Sequence, residues 1–401
     1  MKFMYVPKLS DFPSFSLERL LKTCFSLPCG DLKSCVLIDL HDLESIKECA
    51  FLQTSELSVQ KRAHDYFFKP LSGDVGKSLG IQNCDLFAFK PTGGSNLDPD
   101  NFLISTNGDE VTFSDHICPE YDLVFAITDY SLTAPLTAMA KKHHFRGATL
   151  HGLNDIILNS GLSIDYNLVS RQAELFRSYL DKADSFKISF ECFENKYQLE
   201  IQCGGQTAQK SHGICPTGTP DIANLPAGEV YFVPNSASGS FPFRFPDGTI
   251  SEMHVKDGAI THADLIKGEE SIVASRNLQL SEDPATGILG ELGFGTQVLP
   301  FAGCDIQDEK ILGTCHIATG RSDHLGGNLT PELFNSRENA SHDDILYAPP
   351  KTPEINVNSV VMEKGEHQVE ILQDFCPTSL LLDVLDKEYP TDLIRSALQY
   401  S

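Results

Sequence analysis

The sequence lacks any pair of cysteines spaced as C-x-x-C, although 12 cysteines are present. This absence argues against a zinc knuckle or a thioredoxin-type motif. Cysteines scattered singly along a long chain are typical of a reducing compartment. No apolar run approaches the roughly 20 residues that span a bilayer, and the opening segment MKFMYVPKLSDFPSF lacks the apolar core of a secretion signal. We therefore expect a cytoplasmic protein that does not contact membranes.

Basic residues are also few. Lysine and arginine number 31 against 55 aspartates and glutamates, which gives a formal net charge of -24. Such a charge repels phosphate backbones, so we expect no nucleic-acid partner. It could attract cationic ions or serve only solubility. Hydrophobic residues at 41% and charged residues at 21% predict a globular protein, and 401 residues predict two or three domains.

The first half of the chain has a mixed α/β pattern. The segments SCVLIDL (34–40) and DLVFAI (122–127) are short apolar runs that predict buried parallel strands. A helix candidate (132–145) and a further strand candidate (146–153) follow the second run. Short links in a strand–helix–strand order imply a right-handed crossover. The pattern predicts a largely parallel sheet in an N-terminal α/β domain.

The pattern then changes. The segments 186–193 and 197–203 alternate apolar and polar residues around a turn, as a β-hairpin does. We therefore predict an N-terminal α/β domain over 1–185 and a β-rich α+β metal-binding domain over 186–401. At the end, LLLDVLDKEYPTDLIRSALQY (380–400) has the pattern of one or two short helices.

Four short stretches in the second half place acidic residues or histidines among apolar residues and glycines. They are NLPAGEVYFVP (224–234), LGELGFGT (289–296), GTCHIATGRSDHLGGN (313–328) and ASHDDILY (340–347). Ionised side chains are rarely buried without a partner, and a divalent cation is one such partner. The candidate metal ligands are Glu229, Glu291, His316, His342 and Asp344.

These residue types suit a transition-metal site. His342 and Asp344 are two residues apart, so in a strand their side chains share one face. Two histidines with carboxylates suit zinc, manganese, iron or cobalt, and five ligands fit two metals that share a carboxylate. Each residue also has an ordinary explanation. Glu229 could lie at the surface, Glu291 could begin a helix, and His316 could be a core histidine.

Together the four stretches resemble the aminopeptidase T / aminopeptidase S family, the thermophilic-type leucyl aminopeptidases. The family pattern contains NLPxGEV…P, GE-x-x-x-G, H-x-A-x-G and a late H-x-D. This chain has NLPAGEVYFVP, GELGFG, HIATG and HDD in the same order. The resemblance covers about 120–362, whereas the first hundred residues match poorly.

The resemblance implies a homodimeric metallopeptidase that releases N-terminal residues from peptides, using two divalent ions (zinc, cobalt or manganese). Glu229 would be a ligand that could bridge the ions, and Glu291 would be a ligand or the general base. His316, His342 and Asp344 would complete the metal shell. A metal-activated water would attack the peptide carbonyl.

One position departs from the family pattern. A tyrosine usually stands seven residues after the histidine of H-x-A-x-G, but here Asp323 does, followed by His324. An ionised aspartate cannot donate to an oxyanion. Tyr347 could substitute for the tyrosine. Asp323 and His324 could add ligands or an acid/base pair, or lie in a solvated loop.

Two other functions stay open. The chain also resembles a group with a similar scaffold, the dihydroxypyridine ring-cleaving dioxygenases, which hold one iron(II) with two histidines and an aspartate. His316, His342 and Asp344 would supply that set. Retention of both glutamates favours the hydrolase, and the missing tyrosine weighs against it. A degenerate, non-catalytic binding protein is the third hypothesis.

Overall fold

The computed structural model describes residues 7–27 and 30–386. The described residues form two compact units, one made of 8–170 with 212–227 and the other of Pro7, 171–211 and 228–386. The sequence pattern places the domain change at 185. In the structure the chain passes from the first unit to the second at 171. The segment 212–227 then returns to the first unit, where it adds a strand to that unit's sheet.

The regular elements up to residue 180 are short strands interleaved with helices. The strands are β1 (Leu32–Asp39), β2 (Ile81–Phe89), β3 (Phe102–Ser105), β4 (Glu110–Thr112), β5 (Leu123–Thr128) and β6 (Arg146–His151). The α-helices are α1 (Leu17–Cys24), α2 (Ser58–Ala63), α3 (Lys69–Leu71), α4 (Asp74–Ser78), α5 (Cys118–Glu120), α6 (Thr133–His143), α7 (Asp155–Leu158) and α8 (Tyr166–Leu180).

Strands dominate the rest of the chain. They are β7 (Ser185–Cys192), β8 (Asn195–Gln202), β9 (Gln209–Ser211), β10 (Ile222–Asn224), β11 (Glu229–Phe232), β12 (Ser236–Arg244), β13 (Ile250–Lys256), β14 (Ala259–Lys267), β15 (Leu289–Gly295), β16 (Cys315–Gly320), β17 (His342–Tyr347), β18 (Ile355–Lys364), β19 (His367–Gln373) and β20 (Cys376–Pro377). The helices are α9 (Glu270–Glu282), α10 (Asp305–Asp308) and α11 (Ser379–Asp386).

The first unit is built on one seven-stranded sheet in the order β10-β6-β5-β1-β2-β3-β4. The five strands from β10 to β2 are parallel, and β3 and β4 are antiparallel at one edge. Every residue of β1 except Lys33 is buried, as expected of a strand whose two faces are both covered. Helix α6 carries Lys141 and Lys142 in its last turn and ends at His143, and the next residue, His144, adopts a left-handed conformation at φ 68°.

The second unit contains two antiparallel sheets. One has five strands in the order β17-β16-β15-β11-β9, and the other has eight in the order β14-β13-β12-β8-β7-β18-β19-β20. The two sheets pack through aromatic side chains: the Phe186 ring lies 5.1 Å from Phe232 and 5.2 Å from Phe294, centroid to centroid. The predicted fold class, a largely parallel α/β unit followed by a β-rich unit, is therefore confirmed.

The five-stranded sheet has two chemically different faces. One face is apolar and belongs to the core; it carries Val230, Phe232, Leu292, Phe294, Cys315, Ile317, Ile345 and Tyr347. The alternating residues of the same strands point the other way. The polar candidate ligands occupy that second face, so the core fixes which side chains the sheet presents there.

Within the described ranges, no helix combines the length and apolarity that crossing a membrane requires. The predicted helices of the C-terminal tail are described only in part. Helix α11 ends at Asp386, and the tail from 387 onward lies outside the described residues.

Candidate metal centre

All five predicted ligands lie on the second face of the five-stranded sheet. Register places them together, because Gly293 pairs with His316, Ala318 pairs with Asp344, and Gly320 pairs with His342. Three overlapping groups of potential ligand atoms result, each within 4.8 Å and each with one imidazole. The groups are Glu229–Glu291–His316, Glu291–His342–Asp344 and Glu309–His316–Asp344.

His342 is held in the orientation of a metal ligand. Its Nδ1 lies 2.6 Å from the main-chain carbonyl of Arg321, which can only accept, so Nδ1 donates. In the neutral ring, Nε2 then carries the lone pair. Nε2 faces Glu291 Oε2 at 3.1 Å and Asp344 Oδ1 at 3.4 Å. Three acceptors therefore converge on one small volume, an arrangement that requires a cation or a proton between them.

Glu291 connects the two imidazoles. Its Oε1 lies 3.5 Å from His316 Nε2, and its Oε2 faces His342. His316 Nε2 is also 3.7 Å from Glu229 Oε2. Within the described part of the chain, Nδ1 of His316 is buried and has no hydrogen-bond partner. A buried polar atom without a partner is uncommon and marks a position where a further group is expected.

A buried lysine completes the centre. Lys310, 1% exposed, lies with Nζ 2.6 Å from Glu229 Oε1 and 2.5 Å from Glu309 Oε1. Neither Glu309 nor Lys310 is among the candidates that the sequence suggests. The sequence feature that could have indicated them is the charged run Asp308–Glu309–Lys310, directly before the apolar stretch that leads to His316. Charged residues next to an apolar segment need partners if they are buried with it.

The local charges bias the protonation of these groups. Burial alone would depress the pKa of His316, but the Glu291 hydrogen bond and nearby carboxylates raise that pKa to about 9. Burial likewise lowers the pKa of His342, but the carboxylates of Asp344 and Glu291 outweigh the effect of burial, so the pKa is raised. Burial raises the pKa of Glu309 to about 8 against the opposing charge of Lys310. The centre therefore attracts positive charge.

Gly293 makes room for an imidazole. A Cβ atom at this position would lie 2.1 Å from Cε1 of His316 and 2.2 Å from its Nε2. Side-chain carbons do not approach ring atoms so closely, so only glycine allows the His316 ring to lie over β15. Gly293 of the GELGFG stretch thus has a steric role in the site.

The possible accessory residues lie in different surroundings. Asp323 accepts two hydrogen bonds from Arg321, at 2.7 Å from Nε and 3.2 Å from Nη2. The ring of His324 packs perpendicular to that of His342 with centroids 5.0 Å apart, and burial lowers the pKa of His324. These two residues therefore border the centre.

Tyr347 lies on the apolar face of β17, opposite the face that carries His342 and Asp344. Its hydroxyl donates to the carbonyl of Pro242 at 3.0 Å, and its ring lies 4.8 Å from that of Phe190. The hydroxyl is thus directed into the core between the two sheets of this unit. The sequence suggests that Tyr347 could replace the family tyrosine, but the strand alternation directs it away from the ligands.

Comparison with known proteins gives one informative likeness. No family model and no curated protein matches the chain. The solved structure of 2,5-dihydroxypyridine dioxygenase from Pseudomonas putida KT2440 is similar, with a TM-score of 0.55 and 12% sequence identity. The match covers 87% of this chain and 92% of that chain. This chain therefore shares the overall fold of that enzyme.

Proposed function

We propose that this centre binds a divalent metal ion and that the protein is a non-haem iron dioxygenase that opens a dihydroxylated aromatic ring. The observation that carries metal binding is the orientation of His342. Its Nδ1 is committed to the Arg321 carbonyl, and its Nε2 faces the carboxylates of Glu291 and Asp344. Metal-binding histidines commonly donate their other ring nitrogen to such a carbonyl.

The donor set fits iron(II). Two imidazoles and several carboxylates are ligands that non-haem iron, zinc, manganese and cobalt accept, whereas thiolates are not part of the three groups. A bound iron(II) ion would supply the redox chemistry through which dioxygen reacts with an aromatic ring. The proposed ligand side chains of Glu291, His316 and His342 are almost fully buried, which would keep bulk water from a bound ion.

Asp344 marks the accessible edge of the centre. Its side chain is 26% exposed, and that of Asp323, which borders the centre through His324, is 24% exposed. We propose that substrate approaches from this edge. The guanidinium of Arg321 fixes Asp323 there, so the border of the approach is rigid rather than a loose loop.

Two observations favour the dioxygenase over an aminopeptidase. The position expected to hold an oxyanion-stabilising tyrosine holds Asp323, whose pKa is lowered by the nearby His324 and by its hydrogen bonds from Arg321, which outweigh the opposing effect of burial. An ionised carboxylate cannot stabilise an oxyanion by donation. The fold likeness is also to an oxygenase, and at this identity it supports the proposal through fold alone.

A dinuclear aminopeptidase is the second candidate. The observation in its favour is Glu291, whose two oxygens face different imidazoles, as a carboxylate that bridges two ions would. In this alternative two zinc, cobalt or manganese ions act on an N-terminal peptide bond, and the active form is a homodimer, as the resemblance to that family implies.

Oxygen consumption separates the two candidates. The protein is loaded anaerobically with iron(II) and mixed with dihydroxypyridines and catechols, and dissolved oxygen is followed with an electrode. The same protein loaded with zinc, cobalt or manganese is tested for release of a chromogenic aminoacyl amide. The dioxygenase proposal predicts substrate-dependent oxygen uptake, with ring opening seen as loss of the aromatic absorbance.

Paired variants provide the control. Asp344→Asn removes a proposed ligand, and Asp343→Asn changes the neighbouring residue, whose side chain points to the opposite face of β17. Activity should be lost only in the first variant. Amide release with no oxygen uptake would establish the second candidate instead. No bound metal after loading, with no effect of a chelator on stability, would indicate a non-catalytic protein.

A further inference from the structure

We infer that Lys310 is a built-in cation that takes the place of a second divalent ion, so that the centre binds one ion only. This inference rests on the proposed metal centre and specifies how many ions it holds. It leaves the carboxylates of Glu229 and Glu309 to the lysine, so that the single ion takes its ligands from Glu291, His316, His342 and Asp344.

The first argument is contact geometry. Nζ of Lys310 lies within 2.6 Å of an oxygen on each of Glu229 and Glu309. Those carboxylates belong to the two groups of potential ligand atoms that also contain His316. An ammonium at hydrogen-bond distance from both occupies the space between these two oxygens and takes one oxygen of each carboxylate from any ion on that side.

The second argument is that the main chain around Lys310 is held in place. Its main-chain carbonyl accepts a hydrogen bond from Gln297 N at 2.8 Å, and Leu312 N donates to Gln297 O at 2.7 Å. A Cβ at Gly295 would lie 2.1 Å from the Ile311 carbonyl oxygen, so this glycine lets the lysine segment pack directly on β15. The lysine is fixed by its backbone as well as by its ion pairs.

The third argument is charge. Four carboxylates surround the centre: Glu229, Glu291, Glu309 and Asp344. The ammonium and one divalent ion bring three positive charges against four negative ones. Without the ammonium, two divalent ions would balance the four carboxylates, whereas with the ammonium they would leave one positive charge in excess in a buried region. Uncompensated buried charge is strongly unfavourable, so the lysine disfavours the second ion.

Manganese stoichiometry tests the inference. The full chain is freed of metal, titrated with Mn²⁺ alone, and the bound ions per chain are counted after desalting. Electron paramagnetic resonance distinguishes isolated ions from a coupled pair, because ions sharing a bridging carboxylate interact magnetically. We expect one isolated ion per chain in the unmodified protein and two coupled ions in Lys310→Met.

Two further variants make the result specific. Lys310→Arg keeps a positive charge and should still bind one ion. Lys210→Met is the matched control, because Lys210 lies on β9 of the same sheet and pairs with Glu174 at 2.8 Å, on a strand that carries none of the proposed ligands. It should bind one ion. Should Lys310→Met fail to fold, two ions in the unmodified protein or in Lys310→Arg would still overturn the inference.

Two ions per chain in the unmodified protein, or a single ion in folded Lys310→Met, would overturn the inference. The outcome is separable from the dioxygenase proposal. One manganese per chain without oxygen uptake by the iron-loaded protein would support the role of Lys310 and contradict the dioxygenase. Oxygen uptake by a chain that binds two ions would support the dioxygenase and contradict the role of Lys310.

Discussion

His342 donates from Nδ1 to the carbonyl of Arg321 across 2.6 Å, and this contact ties the first residue of β17 to the residue that follows β16. The same arginine holds Asp323 through two hydrogen bonds. One residue therefore orients an imidazole with its main chain and a bordering carboxylate with its side chain. The ligand geometry depends on the exact path of the chain between these strands.

Replacing His342 should remove metal binding. In His342→Ala the group Glu291–His342–Asp344 loses its only nitrogen ligand. Loss of an outer-shell partner typically weakens binding about 10–100-fold, so loss of the ligand itself should weaken it by more than about 100-fold. Isothermal titration with Mn²⁺ measures the change. His262→Ala is the control, since His262 lies on β14 in a separate, exposed group with His254 and Asp264, and unchanged affinity in His342→Ala would show that the ligand set is wrong.

The neighbouring aspartates of β17 should behave differently. Asp344 faces His342 at 3.4 Å, whereas Asp343 lies on the other face and accepts from Ser341 at 2.6 Å. Asp344→Asn should therefore weaken Mn²⁺ binding by more than about 10-fold, and Asp343→Asn by less than about 2-fold, because ligand charge controls affinity for hard divalent ions. Equal losses in the two variants, measured by the same titration, would contradict the assigned faces.

Gly293→Ala should disturb His316, although the substitution replaces no ligand. The added Cβ would overlap the His316 ring, 2.1 Å from Cε1, so the ring or β15 must shift. Overpacking of this kind costs about 1–3 kcal/mol of folding free energy, measured by urea unfolding of the metal-free protein. Because the ring moves, metal affinity should also fall. A stable variant with unchanged metal affinity would show that the ring has another place to lie.

The N-terminal unit should become less stable between pH 4 and pH 6 because of Asp39. Its carboxylate accepts from Gln60 Nε2 at 2.7 Å and from Asp129 N at 3.0 Å. Burial and the charge of Asp129 raise its pKa to about 6, above the value of about 3.9 in an unfolded chain. Between these values the folded state holds more protons, so rising pH costs up to about 3 kcal/mol.

The difference between Asp39→Asn and the unmodified protein isolates this effect. Relative to the unmodified protein, the variant should gain stability as the pH rises from 4 to 7, measured by urea unfolding at several pH values. Asp74→Asn serves as the control, because the Asp74 side chain is fully exposed, and it should show no such trend. A pH-independent difference for Asp39→Asn would contradict the assignment.

Much of the fold and part of the site follow from local patterns. The apolar runs near 34–40 and 122–127 predict buried parallel strands, and β1 and β5 are such strands. The H-x-D spacing predicts that His342 and Asp344 share a face, because side chains alternate in any strand. That alternation is independent of neighbours, so a single sequence suffices to predict it.

Other features depend on register and packing. Lys310 lies in the loop before β16, and Glu229 begins β11, far away in the sequence. The two residues meet because that loop packs against β15. Arg321 gains its role because β16 and β17 pair in the register that places Gly320 opposite His342. Spacing along the chain does not encode these contacts, so the sequence left the number of metal ions open.

The sequence by itself determined which residue types could bind a metal, since carboxylates and imidazoles among apolar residues need a cation or a partner. Only the tertiary structure decided that Tyr347 faces the core, that Asp323 is held by Arg321, and that an ammonium lies among the ligands. Each of these depends on which strands meet and in what register. Long-range pairing therefore determines how the local chemistry is combined.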